Sequence, residues 1–356
     1  MSGNIILSGY YGFGNTGDEA VLAGILATFR EIGLDARVTV LSADPARTKA
    51  EHPGVESIHR YRLGAVTGAI RSADLLISGG GSLFQDVTSA RSVRYYLFVL
   101  QLAQFFKRKT MIYAQGVGPL NARSTRRAVA GVLNKTNLIT VRDQESKVLL
   151  EQIGVRKPGI HVAADPALVL EPNLAEADRI ITQAGLTGAE MIGVSLRPWP
   201  GAEVGLGEAA KGISAACDRL GVRAALIPMQ ETEDTAVCEA VTGGALLNGS
   251  GRPDVVKGLI SRCGLVVGMR LHALILAAGE GVPFVALTYD PKVSSFASAA
   301  GVGRTLDAAL VTSDQIYEAV LAAWSERACL ASKMAQNAAR LRELALESGR
   351  LATSLI

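Results

Sequence analysis

The stretch Ile5-Ile6-Leu7-Ser8-Gly9-Tyr10-Tyr11-Gly12-Phe13-Gly14-Asn15-Thr16-Gly17-Asp18-Glu19 decides the fold. A short apolar run ends in a glycine-rich loop, and a helical pattern follows at once. Val21, Leu22, Ile25, Leu26, Phe29 and Ile32 then recur on one helical face. Strand, glycine loop and helix in that order form the first half of a βαβ unit. The alternation continues outward, with strands expected at 37–41, 75–78, 110–114, 138–141 and 161–163. After Asp165-Pro166 and Glu171-Pro172-Asn173 a second cycle begins, with strands expected at 192–196, 224–227, 265–267 and 284–287. Residues 312–346 read as helix throughout. Regular alternation implies parallel sheets covered by helices on both faces. The expected architecture is α/β, with two Rossmann-like domains facing a cleft. They span residues 1–170 and 171–311, followed by a helical segment, 312–356. In such folds ligands sit at the carboxyl ends of the strands, so the loops there carry the chemistry.

Composition narrows the function classes. The chain has 356 residues, 49% hydrophobic and 19% charged, which is globular rather than disordered. A net charge of +3 spread over this length gives no argument for nucleic acid. An anionic small molecule needs only a few local cations. Cys217, Cys238, Cys263 and Cys329 show no metal-ligand spacing and read as reduced, partly buried thiols. No secretory signal precedes the first strand, and the longest apolar stretch, 95–106, is about half of the ~20 residues that span a bilayer. The expected location is cytoplasmic.

Several strand-end loops carry candidate chemistry. Gly12, Gly14 and Gly17 match GxGxxG, a dinucleotide signature. Asp18 and Glu19 oppose that reading, because carboxylates at a helix N-terminus repel a pyrophosphate and suit a sugar's hydroxyls. Asp18 as a helix cap and Asp18 as a base facing a sugar remain equal readings of this loop. Gly79-Gly80-Gly81-Ser82 offers a row of free amides as an anion nest. Gln115-Gly116-Val117-Gly118-Pro119 is a further glycine loop. Arg142 follows a strand directly, which favours the cleft over a paired surface position. Gly268-Met269-Arg270-Leu271-His272 opens an apolar helix. Arg270 presents a planar fork for a carboxylate or phosphate, and His272, one of four histidines, is read as functional rather than as packing. Lys292, in Tyr289-Asp290-Pro291-Lys292, adds a point charge suited to phosphate.

Taken together, the segments 9–19, 79–86, 268–272 and 289–292 resemble the polysaccharide pyruvyl transferase family, in particular its CsaB-like members, over nearly the whole chain. The resemblance implies a fold like that of the GT-B glycosyltransferases, with phosphoenolpyruvate as donor and no cofactor or metal. It implies a lipid-linked saccharide as acceptor, usually N-acetylmannosamine of a secondary cell-wall polysaccharide that anchors S-layer proteins, and a 4,6-linked pyruvate ketal as product. On this reading Arg142, Arg270 and Lys292, with Gly80, Gly81 and Ser82, hold phosphoenolpyruvate. His272 is the general acid, Asp18 the base, and Asn15, Asp18 and Glu19 meet the acceptor. The rivals are a nucleotide-sugar glycosyltransferase of the same fold and a non-catalytic glycan-binding protein. One further segment, from the aromatic run 95–98 to Lys107-Arg108-Lys109 with Arg123, Arg126 and Arg127, admits a peripheral membrane contact. The favoured reading of this segment is a buried helix whose last cations complement its dipole.

Overall fold

The computed structural model describes residues 3–86, 90–249, 251–301 and 303–356. The chain divides into two compact units, one comprising Met1–Gly14, Val21–Val169 and Arg342–Ile356, the other Asn15–Ala20 and Leu170–Leu341.

The first unit runs β1 (Gly3–Tyr11), α1 (Thr16–Glu31), β2 (Ala36–Ser42), α2 (Pro45–Glu51), β3 (Glu56–His59), α3 (Leu63–Ser72), β4 (Leu75–Gly79), α4 (Ala90–Phe105), β5 (Lys109–Gln115), α5 (Arg123–Leu133), β6 (Leu138–Val141), α6 (Gln144–Gln152) and β7 (Ile160–Val162). Its seven strands are all parallel, in the order β3-β2-β1-β4-β5-β6-β7. Central strands are covered on both faces, so every residue of β4 is buried and its sequence is an apolar run. Helices α3, α4 and α5 pack into one core with Ile6, Leu76, Ile112 and Ile139. The helix α1 covers the other face, burying Val21, Leu22, Ile25, Leu26 and Phe29 against Leu7, Leu75 and Ile77.

The second unit contains α7 (Leu174–Gln183), β8 (Met191–Ser195), α8 (Glu203–Leu220), β9 (Arg223–Leu226), α9 (Glu231–Cys238), β10 (Ala245–Leu246), α10 (Pro253–Ser261), β11 (Leu265–Gly268), α11 (Leu271–Gly279), β12 (Phe284–Thr288), α12 (Pro291–Ala300), β13 (Gly303–Asp307), α13 (Ser313–Ser325) and α14 (Arg327–Thr353). Its six-stranded parallel sheet has the order β10-β9-β8-β11-β12-β13. The expected single helix over 312–346 is two helices that meet at Glu326. Trp324 is buried there, and Arg327 lies with its guanidinium 4.3 Å from the indole, on the far side of the junction. The last turns of α14 belong to the first unit, where Arg342 pairs with Glu31 at 2.7 Å and Ser348 Oγ lies 2.9 Å from Thr140 Oγ1.

Both sheets reverse strand order once, between β1 and β4 and between β8 and β11. Ligands of parallel sheets bind at such switch points, beyond the carboxyl ends of the strands. The loops at issue are 9–14 and 79–86 in the first unit, and 15–17, 196–202 and 268–272 in the second.

Candidate functional site

In the second unit the site is built on one buried ion pair. Arg270 closes the β11 loop and precedes α11, and its side chain turns back to Asp234 of α9. Nε lies 2.9 Å from Asp234 Oδ2 and Nη2 lies 2.5 Å from Oδ1, with Glu233 Oε2 at 3.2 Å. Asp234 is fully buried and also accepts the backbone N–H groups of Met229 and Gln230, at 3.1 and 3.0 Å. Burial works to lower the pKa of Arg270, but the hydrogen bonds and charge of Asp234 outweigh it and hold the guanidinium above its ordinary value. The planar fork is thus engaged by protein along its Nε–Nη2 edge.

The same loop at 229–230 anchors the head of α1, which clusters with this unit. Met229 O accepts from Thr16 N at 2.9 Å, Asn15 Nδ2 donates to Gln230 Oε1 at 3.2 Å, and Thr16 Oγ1 accepts from Gly251 N at 2.8 Å. Asn15, not Asp18, caps the helix: its Oδ1 accepts from the N–H groups of Gly17 and Asp18 at 3.0 and 3.3 Å. Asp18 is therefore in the first turn, half-buried, beside the buried Glu19. Gly17 packs on His272: a Cβ placed on it would lie 2.4 Å from the imidazole Nδ1. The third glycine of the GxGxxG match thus clears space for the His272 side chain.

His272 stands in the first turn of α11, and Lys292 in that of α12, where Asp290 accepts its backbone N–H at 2.9 Å. Arg197, absent from the residues singled out by sequence, is a further cation at a strand end. It lies two residues beyond β8, at the switch point, its guanidinium 5.2 Å from the Trp199 ring centroid and 5.5 Å from that of Tyr289, with Nη1 3.4 Å from the Tyr289 hydroxyl. Among the described residues no carboxylate pairs with it. Its signal was legible, since the strand-end position that singled out Arg142 applies equally to Arg197. Asp234 carried no such signal, because only the fold brings α9 to the β11 loop.

In the first unit Arg142 is 5% exposed in its side chain and fully engaged. Nη1 donates to Asp165 at 2.7 Å, Nη2 to Ser82 Oγ at 3.3 Å, and Asp143 lies 3.7 Å from Nε. Gly116 makes room for it, since a Cβ there would lie 2.8 Å from two guanidinium nitrogens. The triple-glycine loop is tied into the same corner: Gly116 N donates to Gly81 O at 3.0 Å, and Asp86 accepts the N–H groups of Asn121 and Ala122 at 2.7 and 2.9 Å. Arg60, also unassigned from sequence, is buried with Nη1 donating to Gly9 O at 3.1 Å and its guanidinium 4.2 Å from the Tyr95 ring. Gly80, Gly81, Ser82 and Arg142 are thus placed in the first unit, and Asn15, Asp18, Glu19, Arg270, His272 and Lys292 in the second. Among the described residues no cluster of three or more His, Cys, Asp or Glu could hold a metal ion, and no helix is long and apolar enough to cross a membrane.

Known proteins share this architecture. The Anabaena protein HepE in complex with UDP superposes with a TM-score of 0.66 at 15% identity, covering 100% of this chain and 99% of its own. The UDP-GlcNAc 2-epimerase of Neisseria meningitidis gives 0.62 at 12% identity, with 99% of each chain covered. A glycosyltransferase of Rickettsia africae gives 0.63 at 10% identity, covering 100% of this chain and 99% of its own. These likenesses show the fold, two parallel α/β sheets of the GT-B kind. In sequence, the amylovoran biosynthesis protein AmsJ of Erwinia amylovora is 22% identical over 81% of this chain and 84% of its own length. The family model for polysaccharide pyruvyl transferase matches residues 15–291, from the asparagine that caps α1, through the Arg270 and His272 loop, to the first residue of α12. With most of its length and these strand-end loops inside that match, the chain belongs to the polysaccharide pyruvyl transferase family.

Proposed function

We propose that the chain transfers the pyruvyl group of phosphoenolpyruvate to a saccharide, closing a 4,6-linked ketal and releasing phosphate. The observation that carries this reading is the His272 imidazole packed on Gly17, with Arg270 two residues before it and Asp18 directly after that glycine. A vinyl phosphate needs a proton at its methylene carbon, a cation for its anionic groups and a base for the attacking hydroxyl. One unit supplies all three residue types.

His272 gives its proton to the methylene carbon as the first sugar hydroxyl bonds to the central carbon and loses its proton to Asp18. Phosphate then leaves with the electrons of its C–O bond and takes up the proton held by Asp18, which restores the base. The second hydroxyl closes the ring, and its proton restores the acid. Arg270 meets the donor carboxylate through Nη1, the nitrogen that Asp234 leaves available, while Lys292 and Arg197 face the phosphate. Asn15 holds the turn that presents Asp18 to the acceptor. The acceptor assigned is N-acetylmannosamine of a lipid-linked secondary cell-wall repeat, on the strength of the four motifs. No step uses a metal or a redox cofactor.

The test is phosphate release from phosphoenolpyruvate with a lipid-linked N-acetylmannosamine acceptor, alongside calorimetric titration with phosphoenolpyruvate and UDP-sugars. Wild type should release phosphate and bind phosphoenolpyruvate saturably. His272→Ala should lose about 10²–10⁴ in kcat, and Arg197→Ala should weaken donor binding. A UDP-sugar signal without phosphoenolpyruvate binding would transfer the chain to the glycosyltransferase reading.

A further inference from the structure

The helical layer on one face of the first sheet carries a charge pattern that the proposed reaction does not use. Residues 61–135 hold eleven lysines and arginines against two acids, Asp74 and Asp86, although the whole chain has a net charge of only +3. Helix α4 packs against both α3 and α5, and all three bury their inner faces in one core. Along its outer face α4 exposes Arg91, Arg94, Phe98, Gln101 and Phe105. Steps of three and four residues make these a single stripe. Two large aromatic rings stand open within it: Phe105 is 77% exposed and Phe98 43%.

The flanking helices continue the pattern. Exposed Arg71, in the last turn of α3, lies with its guanidinium 5.6 Å from the ring of Phe106, which itself contacts Phe105 edge-on at 5.2 Å. Helix α5 buries Val129, Ala130, Val132 and Leu133 and turns Arg123 and Arg127 to solvent. Dipole complementarity accounts for cations at the end of α4. It does not account for Arg91 and Arg94 in its first turns, or for Arg123 and Arg127 at the start of α5, where a helix dipole disfavours positive charge.

We propose that this face docks on an anionic lipid bilayer. Cations spread over three neighbouring helices match a plane of negative headgroups, and exposed phenyl rings on the same α4 stripe suit the boundary with the acyl chains. A second copy of the chain would bring like charges together across the same face. Nucleic acid would satisfy the cations, but the stripe's one uncharged polar side chain is Gln101, so the Phe98 and Phe105 rings count for the bilayer.

The test is co-sedimentation of the full chain with vesicles of phosphatidylcholine alone and of an equimolar mixture with phosphatidylglycerol. Binding is expected only to the mixture, and it should weaken steeply as salt is raised. Combining Arg91→Glu, Arg94→Glu, Arg123→Glu and Arg127→Glu should reduce binding roughly tenfold or more, and Phe105→Ala roughly threefold. All five side chains are exposed, so the variants should keep the wild-type circular dichroism and melting temperature. Equal binding to neutral vesicles, undiminished binding by the charge-reversed variant, or displacement of the vesicles by duplex DNA at equal charge would overturn the proposal.

Discussion

At the scale of single residues, the contact between Gly17 and His272 is the most exposed to test. Alanine at 17 would put a methyl 2.4 Å from the imidazole, so the ring must move by about 1 Å, a displacement that costs on the order of 10²-fold when the misplaced group is catalytic. Alanine also favours a helix by about 1 kcal/mol over glycine, and Gly17 is inside α1 with no left-handed backbone to lose. Gly17→Ala is therefore expected to lower kcat about 10²-fold without lowering the melting temperature, measured by phosphate release and thermal denaturation. Unchanged turnover would remove His272 from the chemistry. Other single-residue readings were legible because they depend on local environment. Three of the four cysteines are buried, and burial pushes the thiols of Cys238 and Cys263 up to about 12 and that of Cys217 to about 11.

At the scale of elements, Asp234 joins α9 to the β11 loop and, through the 229–230 turn, to the head of α1. Removing its charge leaves the Arg270 guanidinium buried with only Glu233, at 3.2 Å, for compensation. Breaking a buried pair in this way costs about 3–5 kcal/mol. Asp234→Asn should therefore lose about 3 kcal/mol in urea denaturation, and a loss below about 1 kcal/mol would mean that Glu233 takes over the pairing. Strand detection also divides at this scale. Ten strands, the edge strand β7 with Ile-His-Val among them, are legible in the sequence, whereas β3, β10 and β13 are not. β3 reads Glu-Ser-Ile-His and β13 Gly-Arg-Thr-Leu-Asp, and β10 has two residues. All three lie at sheet edges. An edge strand faces water on one side, so it lacks the continuous apolar signal of a central one.

At the scale of the whole molecule, α14 starts in the second unit and ends in the first, where Ala345, Leu346 and Ala352 are buried. Both tryptophans, Trp199 and Trp324, belong to the second unit. Deleting residues 342–356 should lower the melting transition followed by circular dichroism by several degrees, on the scale of about 2–4 °C per kcal/mol for units of this size, while the tryptophan emission transition moves less. Equal shifts by both probes would mean that the two units unfold as one. Sequence alone determined the repeated βαβ pattern, the strand-end positions of Arg142, Arg270 and His272, and the family resemblance, because periodicity and loop composition are local properties that the chain carries wherever it folds. Tertiary structure alone decided that Asp234 occupies one edge of Arg270 and that Gly17 makes room for His272. Each of those depends on which elements become neighbours through crossover connections, and pairing across such distances in sequence leaves no mark on either segment by itself.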